Sequence, residues 1–239
     1  MTGERRLKGR TALVTGASRG IGARVAERLA GAGARTWLLA RSPAALAEVA
    51  SRIGGTALVA DVADEASLAG ALDRLRLDAG GSPDLVVNAA GVFGLAPVAR
   101  ETTESFDAHL AVNLRGAFLV VRALLPAMLE RGSGLIVNVG SVAGRKAFAD
   151  NAAYSASKFG LRGLHEVLLE EVRGTGVRAT LLEPAATDTS LWDPVDPDSD
   201  PALPGRDAML APDDVAEAVL FVATRPDHIR IPLLQIERA

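Results

Sequence analysis

The chain has 239 residues, a formal net charge of −3, 49% hydrophobic residues and only 4% aromatic ones. Without a basic excess it lacks the electrostatic footprint of a nucleic-acid binder. Without cysteine it has no disulfide, thiolate metal site or cysteine nucleophile.

The stretch Met1–Arg10 is polar and basic and carries no signal-peptide core. A first β-like run, Thr11–Thr15, leads directly into Thr15-Gly16-Ala17-Ser18-Arg19-Gly20-Ile21-Gly22, and a helical pattern covers Ile21–Ala32. Glycines here permit a tight turn and close backbone approach to a pyrophosphate. The helix start offers free N–H groups and a positive dipole end to the anion. A glycine triplet alone is weak; between a strand and a helix it reads as a dinucleotide-binding turn. The second run, Thr36–Ala40, ends in Leu39-Ala40-Arg41-Ser42. Sites for NAD carry a carboxylate about 20 residues past the glycines to bond the adenosine ribose, and none stands here. Arg41, with the Ser42 hydroxyl and Arg19 in the loop, is placed to meet a 2′-phosphate, so NADP(H) is the expected cofactor. A solvated loop arginine is the other reading of Arg41.

Helical candidates follow at Ala44–Arg52, Glu65–Ala79 and Thr103–Glu130, separated by β-like runs Ala57–Ala60 and Leu85–Asn88. Pro126 is expected to kink or end the third of these helices. Leu110–Leu129 is the most apolar long stretch, but Asn113, Arg115 and Arg122 interrupt it. A spanning helix needs about 20 mostly apolar residues, so no membrane span is expected and the cytoplasm is the expected location. The remaining runs are Leu135–Val139, Val177–Leu182 and Ile229–Ile236, with helices at Ala152–Arg173 and Pro212–Thr224. Pro232 marks the last run as an edge strand. Strand–helix alternation with continuously apolar strands predicts an α/β, doubly wound (Rossmann), mostly parallel seven-stranded sheet with helices on both faces. One domain over residues 1–239 is expected. The irregular segment Pro184–Leu210 holds five prolines and six aspartates. It reads as a lid or as a solvated excursion. Its place after the sixth strand favours the lid, since ligands of open α/β sheets bind at the strands' carboxyl ends. His109, His165 and His228 lack metal-ligand spacing and read as surface or packing residues.

Tyr154 and Lys158 lie four apart on the predicted helix Ala152–Arg173, and Ser141 lies thirteen residues before Tyr154. Residues four apart share a helix face. An ammonium beside a phenol favours the phenolate, and a tyrosine, ordinarily of pKa about 10, is thereby tuned for acid–base work near neutral pH. Ser141 supplies a hydroxyl for a substrate carbonyl. A surface Tyr–Lys pair has the same spacing; the glycine loop upstream gives the functional reading its weight.

Taken in order, Thr15-Gly16-x-x-x-Gly20-x-Gly22, Asp61-Val62, Asn88-Ala89-Ala90-Gly91, Asn113, Ser141 and Tyr154-x-x-x-Lys158 resemble the short-chain dehydrogenase/reductase family, in its single-domain branch, over roughly Gly9 to Phe221. The resemblance implies adenine contacts from Asp61 and Val62, although Asp61 also fits a strand-end cap. It implies that Asn88, Ala89 and Gly91 line the cofactor ribose and steady the sheet. It gives Asn113 a water beside Lys158, Ser141 the substrate carbonyl, and Tyr154 the proton. Lys158 would lower the Tyr154 pKa and hold the nicotinamide ribose. Pro184, Thr187 and Thr189 would face the nicotinamide, but the family's Pro-Gly reads Pro184-Ala185 here, which removes easy access to φ > 0. The C-terminus lacks the glycine-rich close of the 3-oxoacyl-carrier-protein reductases.

The expected activity is NADP(H)-dependent hydride transfer to or from a carbonyl or secondary alcohol: a small ketone, a 3-hydroxy acid or similar. A 3-oxoacyl thioester reductase and a non-catalytic NADP-binding regulator are the rivals. Phe93, Leu95, Phe148, Leu191 and Trp192 are expected to form an apolar substrate wall. Arg145 and Lys146 either meet a substrate carboxylate or form a solvated turn. A homo-oligomer, dimer or tetramer, is expected through the helices near Thr103–Glu130 and Ala152–Arg173.

Overall fold

Each of the first six β-like runs forms a strand because it is short, rich in Val, Leu and Ile, and bounded by polar or glycine turns. A computed structural model describes residues 6–239 and places these runs in one sheet. The strands are β1 Thr11–Thr15, β2 Arg35–Ala40, β3 Thr56–Val59, β4 Leu85–Asn88, β5 Gly134–Val139, β6 Val177–Pro184 and β7 Leu233–Ile236. Their order is β3-β2-β1-β4-β5-β6-β7, and every neighbouring pair is parallel. The winding direction reverses between β1 and β4, which opens a crevice at their carboxyl ends.

Successive strand residues point to opposite faces, so each apolar strand feeds two cores. Val14, Leu38, Val87 and Val137 pack beneath α1 (Gly20–Gly31), α2 (Pro43–Ile53) and α7 (Pro212–Ala223). Leu13, Trp37, Val86 and Ile136 pack beneath α3 (Glu65–Ala79), α5 (Gly116–Arg131) and α6 (Ala152–Glu171). Both faces are covered, which is why the strands read as unbroken apolar runs.

Two expectations change. The single helix Thr103–Glu130 is three pieces: α4 (Thr103–His109), a π-helical stretch Leu110–Arg115, and α5. The Gly116 N–H bonds Ala111 O, a wide turn that carries the buried Asn113; such widenings gather at functional sites. Pro126 does not end α5, which runs on to Arg131. The whole stretch Thr103–Arg131 is long and apolar enough to cross a membrane. Leu119, Val120, Leu124 and Met128 are nevertheless buried against the sheet, as in a core helix. The last strand starts at Leu233, not Ile229. Pro232 has no N–H to donate to the ladder, and its carbonyl accepts from Leu181 N (2.9 Å). The edge position expected from Pro232 holds, since β7 pairs with β6 alone.

That carbonyl also closes a buried polar chain. Asn88 Nδ2 donates to Asn138 Oδ1 (2.9 Å), Asn138 Nδ2 lies 3.2 Å from His165 Nδ1, and His165 Nε2 lies 3.1 Å from Pro232 O. Only a neutral imidazole with its proton on Nε2 satisfies both ends. Burial pushes His165 down to about 4 from the ordinary 6.5. The unfolded chain therefore binds more protons between those values, so stability falls as pH drops through that window and is complete above 6.5. Between pH 7.5 and pH 5 the loss from this group is about 2 kcal/mol. Urea melts at the two pH values check it: His165→Gln should lose that part of the slope, and an unchanged slope would contradict it.

Candidate active site

The glycine loop is shaped by what it cannot accommodate. A Cβ on Gly22 would sit 2.3 Å from Gly16 O, and one on Gly16 would sit 2.7 Å from Ala90 Cα. The loop is thus drawn tight against the end of β4, where Thr15 Oγ1 accepts from the N–H groups of Ala89 (3.1 Å) and Ala90 (3.2 Å). Helix α1 begins with no side-chain cap and no acidic residue in its first turn. Its N–H groups and positive end are left for an anion, and this cradle fits a pyrophosphate.

A cavity of about 920 Å³ runs from this loop across the crevice to α6. Every residue expected at the cofactor lines it except Asn88, and of the expected catalytic residues only Asn113 does not. Gly16, Ser18, Arg19, Gly20, Ile21 and Gly22 form its floor at one end, with Arg41 and Ser42 beside them. Arg41 is exposed, and its nearest carboxylate is Asp61, at 3.7 Å. Asp61 Oδ1 accepts from Ala63 N (2.9 Å), so Asp61 caps the strand end and lines the cavity at once. Val62 is held under Gly116, where a Cβ would meet Val62 Cγ2 at 2.8 Å. Ala89 and Gly91 face the cavity, whereas the Asn88 side chain turns into the sheet toward Asn138.

Asn113 stands just behind the wall. Its Oδ1 accepts from Val92 N (2.8 Å), and its Nδ2 donates to Val92 O and Ser157 Oγ, each at 3.0 Å. Ser157 Oγ in turn donates to Tyr154 O (2.7 Å). Both N–H groups of the amide are thus taken, and the side chain clamps the Val92 loop to the turn that carries Tyr154.

The three remaining polar groups meet at the cavity's other end. Ser141 caps the short turn Val142–Gly144, its Oγ accepting from Ala143 N (3.1 Å). Tyr154 lies beside the Ser141 hydroxyl. Burial raises its pKa above the ordinary 10, and the bond to Ser141 opposes that only in part. Lys158 Nζ sits 5.6 Å from the Tyr154 ring centre and donates to Val139 O (2.9 Å). Burial lowers Lys158 to about 8. In this state Lys158 does not pull Tyr154 down: desolvation disfavours both charges, so the phenol keeps its proton.

All five expected wall residues line the cavity. Phe93 packs edge-on against Tyr154 (ring centres 5.0 Å) and tilted against Trp192 (4.6 Å). Arg145 and Lys146 do not line it. Arg145 Nε pairs with Glu183 Oε2 (3.4 Å), and Lys146 Nζ lies 5.3 Å over the Phe148 ring. Thr187 Oγ1 donates to Ala185 O (3.0 Å), and Thr189 Oγ1 accepts from Leu191 N (3.3 Å). Ala185 takes no positive φ and donates to Ile236 O (2.9 Å), so this turn needs no glycine. Asp200 and the stretch Ala202–Pro204 line the cavity from the segment Pro184–Leu210, whereas Asp150 and Asn151, which also line it, were not expected from the sequence. Asn151 stands three before Tyr154, a helical spacing that signals the same face. Asp150 carries no periodic signal.

A nucleotide-shaped crevice at the switch point of a parallel sheet, with a serine, tyrosine and lysine at its far end, defines a dinucleotide-dependent oxidoreductase. A family model for short chain dehydrogenases matches residues 10–200, and the chain belongs to that family. It is 38% identical over 228 residues to the D-threitol dehydrogenase of Mycolicibacterium smegmatis, covering 92% of this chain and 87% of the relative. A metagenomic short-chain oxidoreductase solved in complex with NADP superposes with a TM-score of 0.83 at 35% identity, covering 98% of this chain and 99% of that one. A serine dehydrogenase in its closed form with NADP+ gives 0.86 at 30% identity, covering 95% and 94%.

Proposed function

We propose that the protein transfers a hydride between NADP(H) and a carbonyl or secondary alcohol substrate. The observation that carries this reading is the meeting of the Ser141 hydroxyl, the Tyr154 phenol and the Lys158 ammonium in the same cavity as an uncapped glycine loop.

When bound, the nicotinamide supplies or accepts the hydride, and that chemistry belongs to the cofactor. The loop Gly16–Gly22, with Ser18 and Ile21, holds the pyrophosphate. Asp61 and Val62 face the adenine, Ala89 and Gly91 the ribose, and Pro184, Thr187 and Thr189 the nicotinamide side. Asn88 acts from behind, steadying β4 against β5. Ser141 and Tyr154 donate to the substrate oxygen, as donors aimed in advance at the place where negative charge develops. The raised pKa keeps the Tyr154 proton available for the alkoxide. Lys158 holds the nicotinamide ribose and returns the proton. With both Asn113 N–H groups committed, a relay water beside Lys158 falls to the backbone rather than to the Asn113 side chain. The test is NADPH consumption against ketones, aldehydes and keto esters; NADPH binding with no turnover of any would overturn the reading.

The preference for NADP(H) rests on Arg41 and Arg19, both lining the cavity beside Ser42 where the second strand ends without a carboxylate. Two charge-assisted bonds to a 2′-phosphate contribute about 1.5–3 kcal/mol each. Arg19→Ala with Arg41→Ala should therefore cut the NADPH/NADH ratio of kcat/KM by about tenfold or more; an unchanged ratio would refute the assignment.

The protein is further proposed to act as a dimer or tetramer. Phe118 and Leu129 on α5, and Phe159 and Val167 on α6, are large apolar side chains left exposed, the kind of surface that marks an interface. Light scattering should give a mass at least twice the chain's; a monomer would refute this.

A further inference from the structure

The substrate end of the cavity offers a carboxylate no cation besides Lys158, whose Nζ donates to Val139 O. Among the described residues, the basic side chains lining the cavity are Arg19 and Arg41, at the glycine-loop end, and Lys158. The nearby cations are engaged elsewhere. Arg145 pairs with buried Glu183, and Lys146 lies over Phe148. Arg206 of the lid is held by Asp188 (2.6 Å), Asp193 (2.8 Å) and Asp198 (3.8 Å). Besides Lys158, the charged residues that line this end are acidic: Asp150 and Asp200. Asp150 directly precedes Asn151, the N-cap of α6, so a carboxylate already stands at that helix's positive end. The wall is otherwise mostly apolar, with Phe93, Leu95, Trp192 and Leu203 beside the uncharged polar Asn151 and Ser190.

We propose that the substrate is an uncharged ketone or secondary alcohol with an apolar body, and that Asp150 and Asp200 select against carboxylates. The proposal rests on the hydride-transfer reading of this site and narrows it, setting aside the 3-hydroxy acids admitted by the sequence. A carboxylate entering here would lose its hydration and gain no counter-charge other than Lys158, which is taken up by Val139 O and the cofactor ribose, and it would meet two like charges. The lid Pro184–Leu210, with six aspartates against one arginine, repels it already at the mouth.

The test uses matched pairs in the reduction direction with NADPH, whose nicotinamide ring is uncharged: ethyl acetoacetate against acetoacetate, ethyl levulinate against levulinate. The ester should be favoured by about 30-fold or more in kcat/KM. Raising the salt concentration should narrow that ratio, because it screens the lid charges. Asp150→Asn with Asp200→Asn should narrow it severalfold. Asparagine tolerates the positive φ of 58° at position 150 and keeps the acceptor for Ala202 N at position 200. Acids turned over as well as esters, or a ratio untouched by both aspartate changes, would overturn the proposal. Should no compound turn over, the activity reading fails separately, and binding to the NADPH-loaded Tyr154→Phe protein, followed by NADPH fluorescence, decides the charge question. Tighter binding of the ester supports the proposal. Equal or tighter binding of the acid, or binding of neither, overturns it.

Discussion

Tyr154→Phe should lower kcat by about 100-fold or more, the usual contribution of a positioned general acid, while the Kd for NADPH stays nearly unchanged. The phenol is the only group of its kind available, since the chain has a single tyrosine. The substitution removes one oxygen and leaves the ring, so the edge-on contact with Phe93 and the packing against His109 (ring centres 6.3 Å) survive. The loss therefore falls on proton transfer rather than on the shape of the wall. Steady-state rates and a fluorescence titration of NADPH on the same preparation separate the two. Turnover near that of the unaltered protein would show that Tyr154 does not carry the proton. Weakened NADPH binding with a preserved kcat would place its role in the cofactor site instead.

Arg162→Ala should destabilise the fold by about 3 kcal/mol, near the low end for breaking a buried ion pair, and lower Tm by roughly 6–12 °C for a chain of this size. The reason lies in Glu183, whose side chain is 1% exposed. Arg162 NH1 holds Glu183 Oε1 at 2.8 Å, Arg145 Nε approaches Oε2 at 3.4 Å, and Gln235 Nε2 donates to Oε2 at 3.0 Å. Without Arg162 the carboxylate stays buried with one distant cation and one amide. Glu183→Gln should cost less, because it removes the buried charge together with the need for a partner; truncating one partner is worse than neutralising the charge. Thermal melts of the two variants distinguish these outcomes. Equal stability of Arg162→Ala and the unaltered protein would mean that Arg145 alone neutralises Glu183. The cluster also bears on the site, since Glu183 precedes Pro184, where the chain leaves β6 along the cavity wall.

The features legible in the sequence are those that depend on near neighbours in the chain. Apolar runs such as Leu13-Val14 and Ile136-Val137 announce strands covered on both faces, because alternation along a strand sends each side chain to one of two cores. The glycine loop follows from the same locality: a turn between strand and helix needs residues without Cβ, and Gly22 against Gly16 O shows why. The spacing of Tyr154 and Lys158 places both on one face of α6 whatever surrounds that helix.

Which partner each polar group takes was settled only by tertiary structure. Arg145, read as a candidate for a substrate carboxylate, is drawn to Glu183, which lies 38 positions further along the chain. Asn88 turns to Asn138, and Asn113 gives its amide to the Val92 loop and Ser157 through a π-helical turn that helical periodicity does not announce. Tyr154 is raised because burial outweighs its bond to Ser141, and burial lowers Lys158. A charge or amide has many possible partners along the chain and few in the folded core. Desolvation, which decides both the pairing and the pKa, exists only once the layers have closed over the group.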